Sequence, residues 1–192
     1  LGAVVVDADL GMADLPRGRG PDLHDVLAGR ADPIETLRAG PVEVVPCGRT
    51  LAGARACDLT RLESAIGRLE RERGTVVLDC PAGRRSDAGV PLAVADASVL
   101  VASPRAFALA DAVRTRELAR ELDAGLVGCV VNRVVEEPPT ETIADALGAP
   151  VAVVPADPRV GRSVEDESPV VDAAPDSDAA VAVRDVARRV PR

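Results

Sequence analysis

The 192-residue chain contains no lysine, no tryptophan and no tyrosine, and Phe107 is its only aromatic residue. Without aromatic faces it has no stacking platform for single-stranded nucleic acid, which argues against that class of ligand. Without lysine, no ammonium group in these residues reaches a phosphate as the lysine of a phosphate loop does. All 23 basic residues are arginine, set against 31 acids for a formal net charge of −8. So acidic a chain offers no broad cationic patch, and nonspecific DNA binding is not favoured. His24 is the sole histidine, and Cys47, Cys57, Cys80 and Cys129 form no Cys-x-x-Cys pair. A histidine-based triad, a zinc site or a cluster carrier therefore lacks material. His24 reads as an ordinary surface or interface residue; Cys80 and Cys129, at the ends of apolar runs, read as buried thiols of a reducing compartment. No twenty-residue apolar span or secretory signal is evident, so the expected location is the cytoplasm, with attachment to a membrane periphery the only lipid contact to consider.

What is present is an alternation of apolar runs and helix-length segments. Strands are predicted at Val4–Asp7, Pro41–Pro46, Thr75–Asp79, Ala97–Val101, Leu126–Asn132 and Pro150–Pro155. Between them Leu59, Leu62, Ile66 and Leu69 recur at three- and four-residue spacing behind Asp58, a helix signature with an N-cap. Further helices are predicted at Phe107–Leu122, Thr140–Leu147 and Ala179–Val190, and the acidic stretch Val164–Asp178 reads as a loop. Continuous apolar strands separated by helices imply an α/β fold, a mostly parallel sheet with helices on both faces. Nothing in the composition asks for a second domain, so residues 1–192 read as one.

In open parallel sheets, ligands gather at the carboxyl ends of strands. Asp7 and Asp9 close the first strand and Asp79 closes another. Carboxylates from separate strand ends suit Mg²⁺ held against a nucleotide, and they equally suit capping of the turns that follow. After Asp79, Pro81 restrains the backbone and Gly83 frees it, which serves either a phosphate-sensing loop or a simple strand stop. Asn132-Arg133 offers an amide and a guanidinium plane to a base edge, or is a polar strand exit. Pro155-Ala156-Asp157-Pro158 closes the same base pocket or is a rigid turn.

Taken together, Val4–Leu15, Asp22–Gly29, Asp79–Gly83, Asn132-Arg133 and Val154–Pro158 resemble, in order and spacing, the MinD/ParA family of deviant phosphate-loop ATPases, and MinD-like members most. The resemblance covers nearly the whole chain. It implies a P-loop NTPase-like fold, ATP and Mg²⁺ as ligands, and a first switch holding Asp7 and Asp9 as catalytic residues. Asp9 would position Mg²⁺ or the attacking water, Asp79 would contact the metal, and Pro81, Ala82 and Gly83 would form the second switch. Asn132, Arg133, Pro155 and Asp157 would bind the nucleotide base. The resemblance also implies that a first strand and a lysine-containing phosphate loop are missing ahead of Asp7, the chain being N-terminally incomplete.

The function so implied is an ATP-dependent dimerising switch in cell division, cell positioning or DNA partitioning, hydrolysing ATP when complete, with a homodimer and a regulatory protein as partners. The alternative is a nucleotide-free interaction protein that keeps the fold. At the end of the chain, Val183, Val186 and Val190 line one side of the last predicted helix but lack the bulk of an interfacial anchor, so docking onto the domain is expected before membrane association.

Overall fold

The computed structural model describes residues 3–16, 18–81 and 86–190, which divide into two compact units, one ending at Ala95 and the other beginning at Asp96. The first unit is built on β1 (Val4–Asp7), flanked in parallel by β2 (Glu43–Val45) and β3 (Val76–Asp79) in the order β2-β1-β3. The expectation that the first strand is missing is overturned: Val4–Asp7 is a strand and lies in the middle of its sheet. Three consecutive β-branched valines favour the extended run, and a neighbour on each side satisfies its backbone groups. That expectation rests on counting strands against the resemblance, and the residues themselves decide otherwise.

Helices α1 (Leu23–Leu27), α2 (Leu51–Ala56), α3 (Leu62–Arg73) and α4 (Ser86–Val94) complete this unit, with a 3-10 turn at Pro33–Thr36. The α3 stripe buries Leu62, Ala65, Ile66 and Leu69 in one core with Val4, Val6, Leu23, Leu27 and Val45. Asp58 caps a 3-10 turn at Leu59–Arg61 and not α3 itself, its Oδ1 accepting from the Thr60 N–H at 3.1 Å and the Thr60 hydroxyl at 2.6 Å. The helix therefore starts one turn later than the apolar spacing suggests.

The second unit carries β4 (Ala97–Ala102), β5 (Gly125–Val134) and β6 (Val151–Pro155), all parallel in the order β4-β5-β6. Its helices are α5 (Ala106–Glu121), α6 (Thr140–Leu147), α7 (Pro158–Glu165), α8 (Val170–Ala173) and α9 (Asp178–Ala187). Strand alternation sorts β5 onto two cores: Cys129 and Val131 join Leu100, Ile143 and Leu147, while Val130 joins Val154 and Ala179. This sheet is thus covered on both faces, as its continuous apolar strands predict. The stretch 164–178 is not one loop, since α7 runs into it and α8 lies within it. Helix α9 docks on β6, with fully buried Ala179 and Ala180, and Ala182 and Val186 packed on the core. Among the described residues no helix is long and apolar enough to cross a membrane.

Candidate functional site

The β1–β3 register sets the acids. Asp7 pairs directly with Asp79 on the neighbouring strand, and the Ala8 N–H donates to the Asp79 carbonyl at 2.8 Å, carrying the ladder one step past the strand end. The chain then turns at Asp9, whose Oδ1 accepts from the backbone N–H of Gly11 at 3.1 Å and of Met12 at 2.8 Å. This Asx-type turn leaves the other Asp9 oxygen outside the turn's hydrogen bonds.

Asp7 is only 1% exposed. Its Oδ1 accepts from the Asp9 N–H at 3.3 Å, while Oδ2 has no hydrogen-bond partner among the described residues. Burial raises the Asp7 carboxyl above the usual range; the backbone N–H groups of Asp9, Leu15 and Cys47 oppose this and the charge of Asp14 adds to it. Asp79 is exposed over its surface, yet the protein packed about its carboxyl raises its proton affinity, as do the charges of Asp14, Asp7 and Asp9. The charges of Asp14, Asp7 and Asp9 thus act on Asp79, and that of Asp14 on Asp7 as well. The Cys47 thiol beside them is held protonated by burial and by Asp7 and Asp22, which excludes a thiolate nucleophile at neutral pH.

Crowded acids with an unpartnered buried oxygen fit a divalent cation, which relieves their repulsion. Among the described residues no three acidic, histidine or cysteine side chains close around a metal by themselves. That donor set suits Mg²⁺, which keeps water and phosphate oxygens for most of its ligands, better than a cation caged wholly by protein. Of the expected switch residues, Pro81 is half-buried after β3, while Ala82 and Gly83 lie outside the described residues.

In the second unit, Asn132 and Pro155 meet at the same end of β5 and β6. A register shift between Asn132 and Val134 pairs Val134 with Pro155, and the Ala156 N–H donates to the Val134 carbonyl at 2.8 Å. The extra residue is Arg133, held at φ +61° with its N–H on Asn132 Oδ1 at 2.8 Å. A non-glycine residue in this region is strained, and such strain gathers at binding sites. Arg133 lines an open cleft of about 640 Å³ together with Arg105 and Phe107. Asn132, Pro155 and Asp157 do not line it. The Asp157 carboxylate is occupied: it caps α7 through the Arg159 N–H at 2.8 Å and pairs with the Arg159 guanidinium at 2.7 Å, which holds it below the usual carboxylate range.

Three features escape the sequence reading. Asp14 belongs to the acidic group through its charge on Asp7 and Asp79, a role its distance along the chain does not announce. His24 is not at the surface but 2% exposed, and Cys80, expected to be buried, is exposed while Cys129 is buried. Being the only histidine is the one signal that singles out His24.

No family profile matches the sequence. An uncharacterized ATP-binding protein of Methanocaldococcus jannaschii is 32% identical over 197 aligned residues, covering 97% of this chain and 75% of that protein. The crystal structure of the cell division ATPase MinD of Pyrococcus furiosus superposes with a TM-score of 0.89 at 27% identity, over 98% of this chain and 84% of the other. The septum site-determining protein MinD of Pyrococcus horikoshii, complexed with Mg-ADP, gives 0.89 at 26% identity, over 100% and 84%.

Proposed function

Since the chain belongs to the MinD/ParA family of ATPases, we propose that it is an ATP-dependent dimerising switch acting in cell division, cell positioning or DNA partitioning. The observation that carries this reading is the register partnership of Asp7 with Asp79, with the Asp9 turn directly beyond it. Strand ends of a parallel sheet are where such a ligand is received.

At the ends of β1 and β3, Asp79 and Asp7 would hold Mg²⁺, directly or through its waters, and the Asp9 oxygen left outside the turn would orient the attacking water. Mg²⁺ bound to the triphosphate would neutralise its charge and draw electrons from the γ-phosphoryl group. Water then bonds to the γ-phosphorus, the bond from that phosphorus to the bridging oxygen breaks, and ADP leaves with the electron pair. Inorganic phosphate carries away the water oxygen, and one proton passes to solvent. Asp9 contributes position and negative charge next to the water, which is how carboxylates serve phosphoryl transfer. Loss of the γ-phosphate frees the Asp9 turn and the loop after Asp79, and the dimer and its regulatory partner separate.

In the second unit, Asn132 recognises adenine. Its Oδ1 is engaged by the Arg133 N–H, so the amide NH₂ is the group offered to a ring nitrogen. Replacing Asn132 with alanine is expected to raise the KM for ATP about tenfold, the worth of one to two hydrogen bonds, with kcat changed less than twofold. Steady-state phosphate release checks this.

Sedimentation equilibrium tests the switch. The protein is expected to double its mass with a slowly hydrolysed ATP analogue and Mg²⁺, and to keep a single-chain mass with ADP. Absence of nucleotide binding, with mass unchanged, contradicts the reading and leaves a nucleotide-free interaction protein.

A further inference from the structure

We propose that His24 is a positioning residue for the Asp9 turn, tying it to α1 through the Leu10 carbonyl. The inference rests on the ATP-hydrolysing reading and assigns that site a residue which touches neither metal nor phosphate. His24 Nε2 lies 3.3 Å from the Leu10 oxygen. A carbonyl only accepts, so the bond requires a proton on Nε2. Nδ1 is buried with no hydrogen-bond partner among the described residues, so the ring makes one polar contact, and that contact goes to the residue following Asp9.

The space for the ring is made by two glycines. A β-carbon at Gly48 would overlap Nδ1 and approach Asp22 Oδ2 to 2.8 Å, and one at Gly53 would come within 2.6 Å of Nδ1. Gly48 borders the ring from the segment between β2 and α2 and Gly53 from within α2, so the imidazole is clamped on that side while Nε2 faces the turn. Asp22 anchors the other end: its side chain accepts from the Asp25 N–H as the cap of α1, and the Leu23 N–H donates to the Pro46 carbonyl at 2.9 Å. Histidine in this pocket is thus a rigid strut with one end on the helix start and the other on the turn that orients the water. Displacing such a turn by about 1 Å is enough to slow a positioned reaction by one to two orders of magnitude.

Being the only histidine, His24 gives a single imidazole signal, and long-range ¹H–¹⁵N NMR reads its tautomer directly. The expected spectrum shows a proton on Nε2, protected from exchange and shifted when Mg-ATP is added. A ring without a proton on Nε2, or a freely exchanging Nε2–H, overturns the proposal. In kinetics, His24→Leu is expected to lower kcat about tenfold with KM within twofold, and His24→Gln, whose side-chain NH₂ still reaches the Leu10 carbonyl, to restore kcat to within threefold of the parent. Equal kcat for parent and His24→Leu, or no rescue by a folded His24→Gln, overturns it as well. If the parent does not turn over ATP at all, the functional reading fails on its own, and the tautomer still decides whether the strut exists.

Discussion

Replacing Asp7 with asparagine is expected to make the protein more stable at pH 7.5 and to cut its Mg-ATP turnover by about a hundredfold. The two effects come from the same atom. Asp7 Oδ2 is buried and unpartnered among the described residues, so the ionised side chain costs free energy in the folded state. Its folded pKa is raised by burial above the ordinary value of 3.8. The folded state therefore binds the proton more tightly than the unfolded chain does. The stabilisation from protonated Asp7 is fully present below pH 3.8 and is lost as the pH rises through the elevated folded value. An asparagine side chain carries no charge at any pH and escapes that loss. A gain of about 1 kcal/mol at neutral pH corresponds to a rise of roughly 2–4 °C in thermal midpoint for a chain of this length. The hundredfold loss of turnover, about 2.7 kcal/mol of barrier, is what removing one member of a charge-positioning group costs. Thermal melts of parent and Asp7→Asn at pH 3 and pH 7.5 should diverge at the higher pH. A variant less stable at pH 7.5 and fully active contradicts both halves.

The second large effect lies in the core that holds those acids in place. Leu69→Ala is expected to lower unfolding stability by about 3 kcal/mol, within the range for a buried leucine whose surroundings relax only partly. Leu69 is 1% exposed and shares one core with Leu27, Leu62 and Ile66 and with Val4 and Val6 of β1. Such a loss is a large fraction of the total stability of an ordinary domain. Leu51→Ala, at a residue 67% exposed on α2, should change stability by less than about 0.5 kcal/mol. Urea titration followed by far-ultraviolet circular dichroism measures both, because a chain without tryptophan or tyrosine gives no useful intrinsic fluorescence.

What can be read from the sequence depends on how local the signal is. The leucine and isoleucine spacing of α3 and the boundaries of α6 are legible because an amphipathic stripe and a compact apolar segment are local patterns. Helix α2 is not legible: Leu-Ala-Gly-Ala-Arg-Ala buries no residue and is held by the Thr50 cap, so no periodicity marks it. Helix α4 is apolar over most of its length and contains Pro91, which argues locally against a helix. For α7, Asp157-Pro158 is a good start signal, but it serves a rigid turn equally well. At the site, the placement of Asp7, Asp9 and Asp79 at strand ends is visible in the chain, while the register that sets Asp7 against Asp79 belongs to strand pairing over some seventy residues. The burial of His24 depends on Gly48 and Gly53, whose meaning appears only when the ring is between them. The missing-strand expectation errs for the opposite reason, reading absence from a template where the valines of β1 already specify a central strand.

Single-turnover hydrolysis by Asp9→Asn, measured beside its affinity for Mg-ATP, tests the assignment of the strand-end acids most directly. The account predicts affinity within about threefold of the parent and a hydrolysis rate lower by about a hundredfold or more, the role proposed for Asp9 being to orient the water and not the nucleotide. An Asp9→Asn protein that hydrolyses bound ATP at the parental rate contradicts it.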